Sequence, residues 1–283
     1  MKHSSSQVTS WSPSLRWQML AFPLFAMALL VASGLKARAE LSDFVRDSLL
    51  HILHHETAHA LIDEFAMPVL GSEEIAADTF ATLMMIETLG AQAEPALRNV
   101  SEAWLVMHGR GEDTGVLLSY SEHALSAQRA ERVVCLLFGS NPALFSNVPK
   151  WSNLPGRREA TCQDEASLAF DSWDVLVSAV SPAPGAPMKD KLHVEYQPSP
   201  QFEDVIQDLS ETGLLEEVAQ AYNALVAWPE KIYLTARPCG EANAFWDPET
   251  HRVELCYEFV DELRRIETGR ALYGWKSTKK SRR

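Results

Sequence analysis

Apolar side chains recur at helical spacing in two neighbouring segments near the start of the chain. In residues 41–65 they follow Ser42, a suitable N-cap, and lie at Phe44, Leu49, Ile52, Leu53 and Leu61. The run Met-Pro-Val-Leu-Gly at 67–71 ends this pattern. A second pattern begins after Ser72, with two glutamates in its first turn that suit the positive end of a helix dipole, and continues to about Leu89. The two patterns predict consecutive helices joined by a short turn.

Shorter patterns predict the other elements. Helices are expected at about 99–108, 121–138, 158–179, 202–227 and 257–270, and strands at 192–196 and 231–235. Residues 244–246 and 252–256 flank the turn Asp-Pro-Glu-Thr and predict a β-hairpin. This order indicates a helix-rich α+β protein whose small, hairpin-containing sheet lies in the C-terminal third.

The pattern also suggests how the chain is divided. We expect a helical domain over residues 40–180, then the Pro-rich segment 181–187, and then an α/β part over 190–270 that packs on the helices. Residues 271–283 are strongly basic and are expected to form a solvated tail.

The first 39 residues have the features of an export signal. They contain Lys2 and Arg16 but no acidic residue, then an apolar run at 19–35, and then Ala-Arg-Ala at 37–39. Cleavage after Ala39 would make the protein periplasmic or secreted. The alternative is an uncleaved membrane anchor, although the apolar run is short for a membrane span and contains Pro23.

The net charge of the chain limits the classes of partner that it is expected to bind. It has 38 acidic and 25 basic residues, a formal net charge of −13. Removing the four basic residues of the signal would take the charge to −17. Such an acidic protein is not expected to bind nucleic acid, whose phosphates attract basic surfaces. We also expect no stable membrane insertion once the signal has been cleaved.

Four cysteines follow the signal. An even number of cysteines in an exported chain is typical of disulfides, and none of the four shows the close spacing of a thiolate zinc site. Three pairings are open. We favour Cys135–Cys162 and Cys239–Cys256, because the second pair flanks the predicted hairpin.

The first predicted helix carries the pattern of a metal site. His55 and His59 are four residues apart, so both imidazoles lie on one helix face and reach one ion. Glu56 is placed to act as general base for a water that zinc activates. His51 continues the stripe and offers a rival pair with His55. The residue that follows His51 is Ile52, however, so this rival pair would have no general base.

A third ligand is expected in the second helix. Glu74 lies fifteen residues after His59, beyond a turn that would fold one helix back on the other. Asp78 lies one turn further on and could accept the free N–H of a ligand histidine. Glu73 is the competing ligand. If there is no metal site, both glutamates only complement the helix dipole.

These motifs resemble a known family. The segments HETAHALID, PVLG and EEIAADTFATL, together with residues 122–142, 236–249 and 253–259, are similar to a bacterial family of metallopeptidases named from its motif. The resemblance implies a zincin-like active-site helix that binds one zinc ion. It also implies that His55, His59 and Glu74 are its ligands and that Glu56 is its base.

Other polar residues are candidates for the rest of a hydrolytic site. His123, at the expected start of a helix, and Tyr257, after the hairpin, are candidate donors to an oxyanion. We include His123 with Glu56 among the catalytic residues. Arg129 and Arg132 could bind a substrate carboxylate, although pairing with the abundant acidic residues is the commoner outcome.

Together the sequence favours an exported zinc metallopeptidase acting on peptides or proteins. One alternative is a zinc amidohydrolase acting on cell-wall or small-molecule amides. Another is a non-catalytic binding protein that the metal stabilises. Glu56 favours an enzyme, because a structural zinc site needs no base and usually closes its fourth position with a fourth ligand.

Overall fold

The computed structural model describes residues 41–111, 122–183, 185–187 and 190–275. The predicted export signal at 1–39 and most of the basic tail lie outside these ranges. The helices are α1 (Asp43–Glu64), α2 (Glu73–Leu89), α3 (Ala93–Gly109), α4 (Ser126–Ser140), α5 (Val148–Ser152), α6 (Gly156–Val180), α7 (Glu203–Thr212), α8 (Leu214–Leu225), α9 (Tyr257–Glu267) and α10 (Arg270–Tyr273). In the described residues, no helix is long and apolar enough to cross a membrane.

Helix α1 lies at the centre of the fold. The side chain of Ser42 accepts a hydrogen bond from the backbone N–H of Val45 and so caps the helix, as the sequence predicts. The helix contacts α2, α3, α8, α9 and two strands. Because it is covered on nearly all sides, its polar residues from Asp47 to Thr57 are buried along with most of its apolar ones. Buried polar groups need partners, and this requirement shapes the site described below.

The C-terminal third contains a four-stranded mixed sheet. Its strands are β1 (Leu192–Tyr196), β2 (Ile232–Arg237), β3 (Ala244–Asp247) and β4 (Arg252–Cys256), in the order β1-β2-β4-β3. The first three strands in this order are parallel, whereas β3 pairs with β4 as the predicted antiparallel hairpin. Strands β3 and β4 contact α1. The helix-rich α+β class predicted from the sequence is confirmed.

Several predicted boundaries are wrong for local reasons. The single helix expected at 202–227 is two helices, because Gly213 adopts a left-handed conformation (φ +64°) that ends α7. Helix α4 begins at Ser126, so His123 precedes it instead of starting it. Helix α3 begins at Ala93, six residues earlier than expected, and the short α5 was not predicted.

Two disulfides join distant segments. Cys135 on α4 is bonded to Cys162 on α6, and Cys239 is bonded to Cys256 at the end of β4. These are the two pairs that the sequence favours. The first bond fixes α4 against α6, and α4 also contacts α2 and α3.

Candidate metal centre

The turn between α1 and α2 brings the predicted metal residues together. His55 and His59 lie one turn apart on α1, and Glu74 lies in the first turn of α2. The side chain of Ser72 accepts a hydrogen bond from the backbone N–H of Ile75 and so fixes where α2 begins. The extensive contact between the two helices holds the first turn of α2 against the two histidines.

The donor atoms of these three residues converge. Nε2 of His55 lies 3.2 Å from Nε2 of His59 and 3.2 Å from Oε2 of Glu74. Nε2 of His59 lies 3.5 Å from Oε1 of Glu74. Zinc bonds of about 2.0–2.2 Å at tetrahedral angles separate two ligand atoms by about 3.3–3.6 Å. The spacing of the three side chains therefore fits a single zinc ion.

Oε2 of Glu74 provides a second observation. This buried oxygen has no partner in hydrogen-bond geometry among the described residues. Imidazole nitrogens of His55 and His123 nevertheless lie 3.2 and 2.8 Å from it. Nitrogen and oxygen atoms that lie this close without hydrogen-bond geometry are typical of side chains that all point at one metal position. A bound cation would offset the cost of burying this carboxylate oxygen.

In both His55 and His59, the Nδ1 atom contacts a carboxylate. Nδ1 of His55 lies 2.9 Å from Oδ1 of Asp78, and Nδ1 of His59 lies 2.7 Å from Oε1 of Glu73. In a metal site, contacts of this kind keep the imidazole proton on Nδ1 and leave Nε2 free to bind the ion. Glu73, the competing ligand in the sequence, is therefore placed as the partner of His59. The sequence did not indicate this role.

Glu56 lies beside the converging atoms. Its Oε1 is 3.9 Å from Nε2 of His55, and the ligand atoms of His55, Glu56 and His59 all lie within 4.8 Å of one another. Burial raises the pKa of Glu56 above its ordinary value, against the opposing charges of the two histidines. A raised pKa suits a carboxylate that must accept a proton and return it near neutral pH.

Charges and hydrogen bonds shift the pKa of the histidines as well. Burial lowers the pKa of His55, but its hydrogen bond to Asp78 and the adjacent Glu74 carboxylate outweigh burial and raise the pKa to about 9. The pKa of His59 is also raised, because its hydrogen bonds to Glu74 and Glu73 outweigh burial. The raised pKa values favour the protonated form of these imidazoles in the metal-free protein, and a bound metal would have to displace those protons.

The other two histidines of α1 lie elsewhere. Nε2 of His51 is 3.2 Å from Oγ1 of Thr82, and Nδ1 of His54 is 2.9 Å from the hydroxyl of Tyr222. Burial lowers the pKa of both histidines to about 3, so both are neutral. The structure thus separates His51 from the converging donor atoms, although it shares their helical stripe.

The secondary candidates are placed differently. His123 is half exposed, with Nε2 2.8 Å from Oε2 of Glu74, so it borders the same site. Arg129 is buried and paired with Asp78. The hydroxyl of Tyr257 donates to the backbone oxygen of Gln197 at 2.7 Å and is therefore already used within the fold.

A cleft gives access to the site from solvent. It has a volume of about 470 Å³ and is lined by His59, Ser72, Glu73, Glu74 and Glu122. Two of the predicted metal ligands, His59 and Glu74, thus border an open space.

The comparison with known families agrees with this geometry. The profile of a family described as "Putative metallopeptidase" matches residues 21–177 and 195–280. The chain belongs to this family. No curated protein and no solved structure matches it. The resemblance inferred from the motifs is confirmed, and membership of this metallopeptidase family agrees with a hydrolase that depends on a metal.

Proposed function

We propose that this member of the metallopeptidase family is an exported zinc peptidase. His55, His59 and Glu74 bind the zinc ion, and Glu56 is the general base. The observation that carries the proposal is the convergence of three ligand atoms at distances of 3.2, 3.2 and 3.5 Å beside a buried glutamate. A structural zinc site would have no need of that glutamate.

Each side chain has a distinct task in this mechanism. Zinc, when bound, supplies a Lewis acid that polarises a carbonyl and lowers the pKa of water to about 7. Glu56 accepts the proton of the attacking water and delivers it to the leaving amine. The half-exposed His123 lies beside the Glu74 carboxylate. In this proposal it donates a hydrogen bond to the oxyanion that develops on the substrate.

The surroundings of the site favour a peptide as substrate and an oxidising compartment as location. The cleft is open, and β3, which contacts α1, is one of the two edge strands of the sheet. A free strand edge can add an extended peptide by backbone hydrogen bonds. Disulfides such as Cys135–Cys162 and Cys239–Cys256 persist outside the cytosol, which supports export.

The test separates metal binding from turnover. Glu56→Gln keeps the shape of the side chain but cannot accept the proton. We expect one zinc ion per chain to remain, and hydrolysis of a mixed peptide library to fall by about 10²- to 10⁴-fold. His55→Ala should instead lose the metal. The exposed Glu87→Gln on α2 is the matched control and should change neither quantity.

Two outcomes would contradict the proposal. If Glu56→Gln hydrolyses peptides as fast as the parent protein, Glu56 is not the base. If the parent protein binds zinc but shows no peptide hydrolysis that a chelator can inhibit, the site is not a peptidase site. Hydrolysis of other amides then becomes the next assay.

A further inference from the structure

A third helix reaches the site through one buried arginine. Arg129 lies on α4 and is only 8% exposed. Its Nε lies 2.7 Å from Oδ2 of Asp78 and its Nη2 lies 2.5 Å from Oδ1. The planar guanidinium thus holds both carboxylate oxygens, which fixes the rotation of the carboxylate as well as its position.

The arginine is itself held in place. Its Cζ lies 3.6 Å from the centroid of the Trp104 ring on α3, a short cation–π contact. The indole face limits the guanidinium to one plane, and that plane contains the fork that meets Asp78. Residues of α3, α4 and α2 therefore form one continuous contact.

The same carboxylate oxygen serves the metal residue. Oδ1 of Asp78 faces Nη2 of Arg129 on one side and Nδ1 of His55, at 2.9 Å, on the other. Any rotation of the Asp78 carboxylate that lengthens one contact also disturbs the other. The orientation of the His55 ring is thereby linked to the position of the Arg129 guanidinium.

We propose that Arg129 is a positioning residue of the metal site: through Asp78 it holds His55 with Nε2 directed at the metal. This inference rests on the proposed function only for the identity of the metal site. It adds that the planar fork of the arginine, and not its charge alone, sets the affinity for zinc.

Arg129→Lys tests this point because it keeps the positive charge and removes the fork. We expect affinity for zinc, measured by chelator competition on the metal-free protein, to fall by about 10- to 100-fold. Arg132→Lys is the matched control, since Arg132 is exposed on the same helix, and should leave the affinity unchanged. Circular dichroism and the thermal midpoint show whether each variant is folded.

A double-mutant cycle distinguishes positioning from a general effect on stability. If Arg129 acts through Asp78, Arg129→Lys should change the zinc affinity of the Asp78→Asn variant by less than about threefold. Fully additive losses in the folded variants would overturn the proposal, as would parent-like affinity in Arg129→Lys.

A second variant keeps the proposal testable if Arg129→Lys does not fold. Trp104→Leu removes the face on which the guanidinium stacks, and should lower zinc affinity in the same direction by a smaller factor. Unchanged affinity in folded Trp104→Leu would contradict the role of the ring. These measurements need no substrate, so a failure of peptide hydrolysis leaves them interpretable.

Discussion

Zinc uptake by this protein should depend strongly on pH, because the metal competes with a proton on His55. The pKa of this histidine is raised to about 9, since its hydrogen bond to Asp78 and the adjacent Glu74 carboxylate outweigh the opposing effect of burial. Below that pH the metal-free imidazole is protonated, and its Nε2 offers no lone pair. Binding of zinc must release the proton, so the affinity should rise as the pH rises towards 9.

The size of the effect follows from the pKa. Each proton released makes the dissociation constant tenfold smaller per pH unit. For His55 alone, between an ordinary pKa of about 6.5 and the raised value, this amounts to about 300-fold. The pKa of His59 is also raised, so release of its proton should add to the slope.

The raised pKa of His55 also makes the stability of the metal-free protein depend on pH. This stability falls as the pH rises, whereas the zinc affinity increases. A raised pKa means that the folded protein holds the proton more tightly than the unfolded chain does. This stabilisation is fully present below about pH 6.5 and is lost as the pH rises through 9, with a total of about 3 kcal/mol for the buried His55. Urea unfolding of the metal-free protein at a series of pH values measures it.

Chelator competition at pH 6.5, 7.5, 8.5 and 9.5, with free zinc buffered at each pH, gives the slope directly. Asp78→Asn is the control, because an amide carries no charge to raise the pKa of His55, and its slope between pH 7.5 and 9 should be flatter. A parent affinity that does not change between pH 7 and 9 would refute the reasoning.

Three further outcomes are expected. Cys135→Ser with Cys162→Ser should lower the free energy of unfolding by about 3.5 kcal/mol in urea, the loop entropy for a separation of 27 residues. Glu73→Ala should weaken zinc about tenfold in chelator competition, because His59 loses its partner, whereas Glu74→Ala should hold no stoichiometric zinc after dialysis. Tyr257→Phe should cost about 1 kcal/mol of stability and leave peptide hydrolysis unchanged, which a lower turnover would contradict.

Local signals made α1, α2 and the hairpin predictable from the sequence. Ser42 and Ser72 cap the two helices, and the turn residues at 247–250 mark the hairpin. The order of the sheet was not predictable, because β1 pairs with β2 across 40 residues, from Leu192 to Ile232, and nothing local specifies that partner.

The candidate site was predictable to a similar extent. Spacing alone indicates His55 and His59, because four residues make one helical turn. It does not indicate which of Glu73 and Glu74 faces Nε2 and which faces Nδ1, since that depends on how the turn orients α2. Arg129 was expected to pair with an acid, but its partner Asp78 lies 51 residues away and could not be identified from spacing.

The short distance along the chain between the proposed ligands has a consequence for folding. His55 and Glu74 lie on consecutive helices, α1 and α2, that are joined by a short turn. Little chain entropy is therefore lost when the segment between the two residues closes into a loop. Contacts of this kind form early, whereas the pairing of β1 with β2 must wait for a distant segment. If the site binds zinc as proposed, we expect the ion to bind the α1–α2 hairpin before the sheet forms. The long-range contact of Arg129 with Asp78 would then form later and tighten zinc binding.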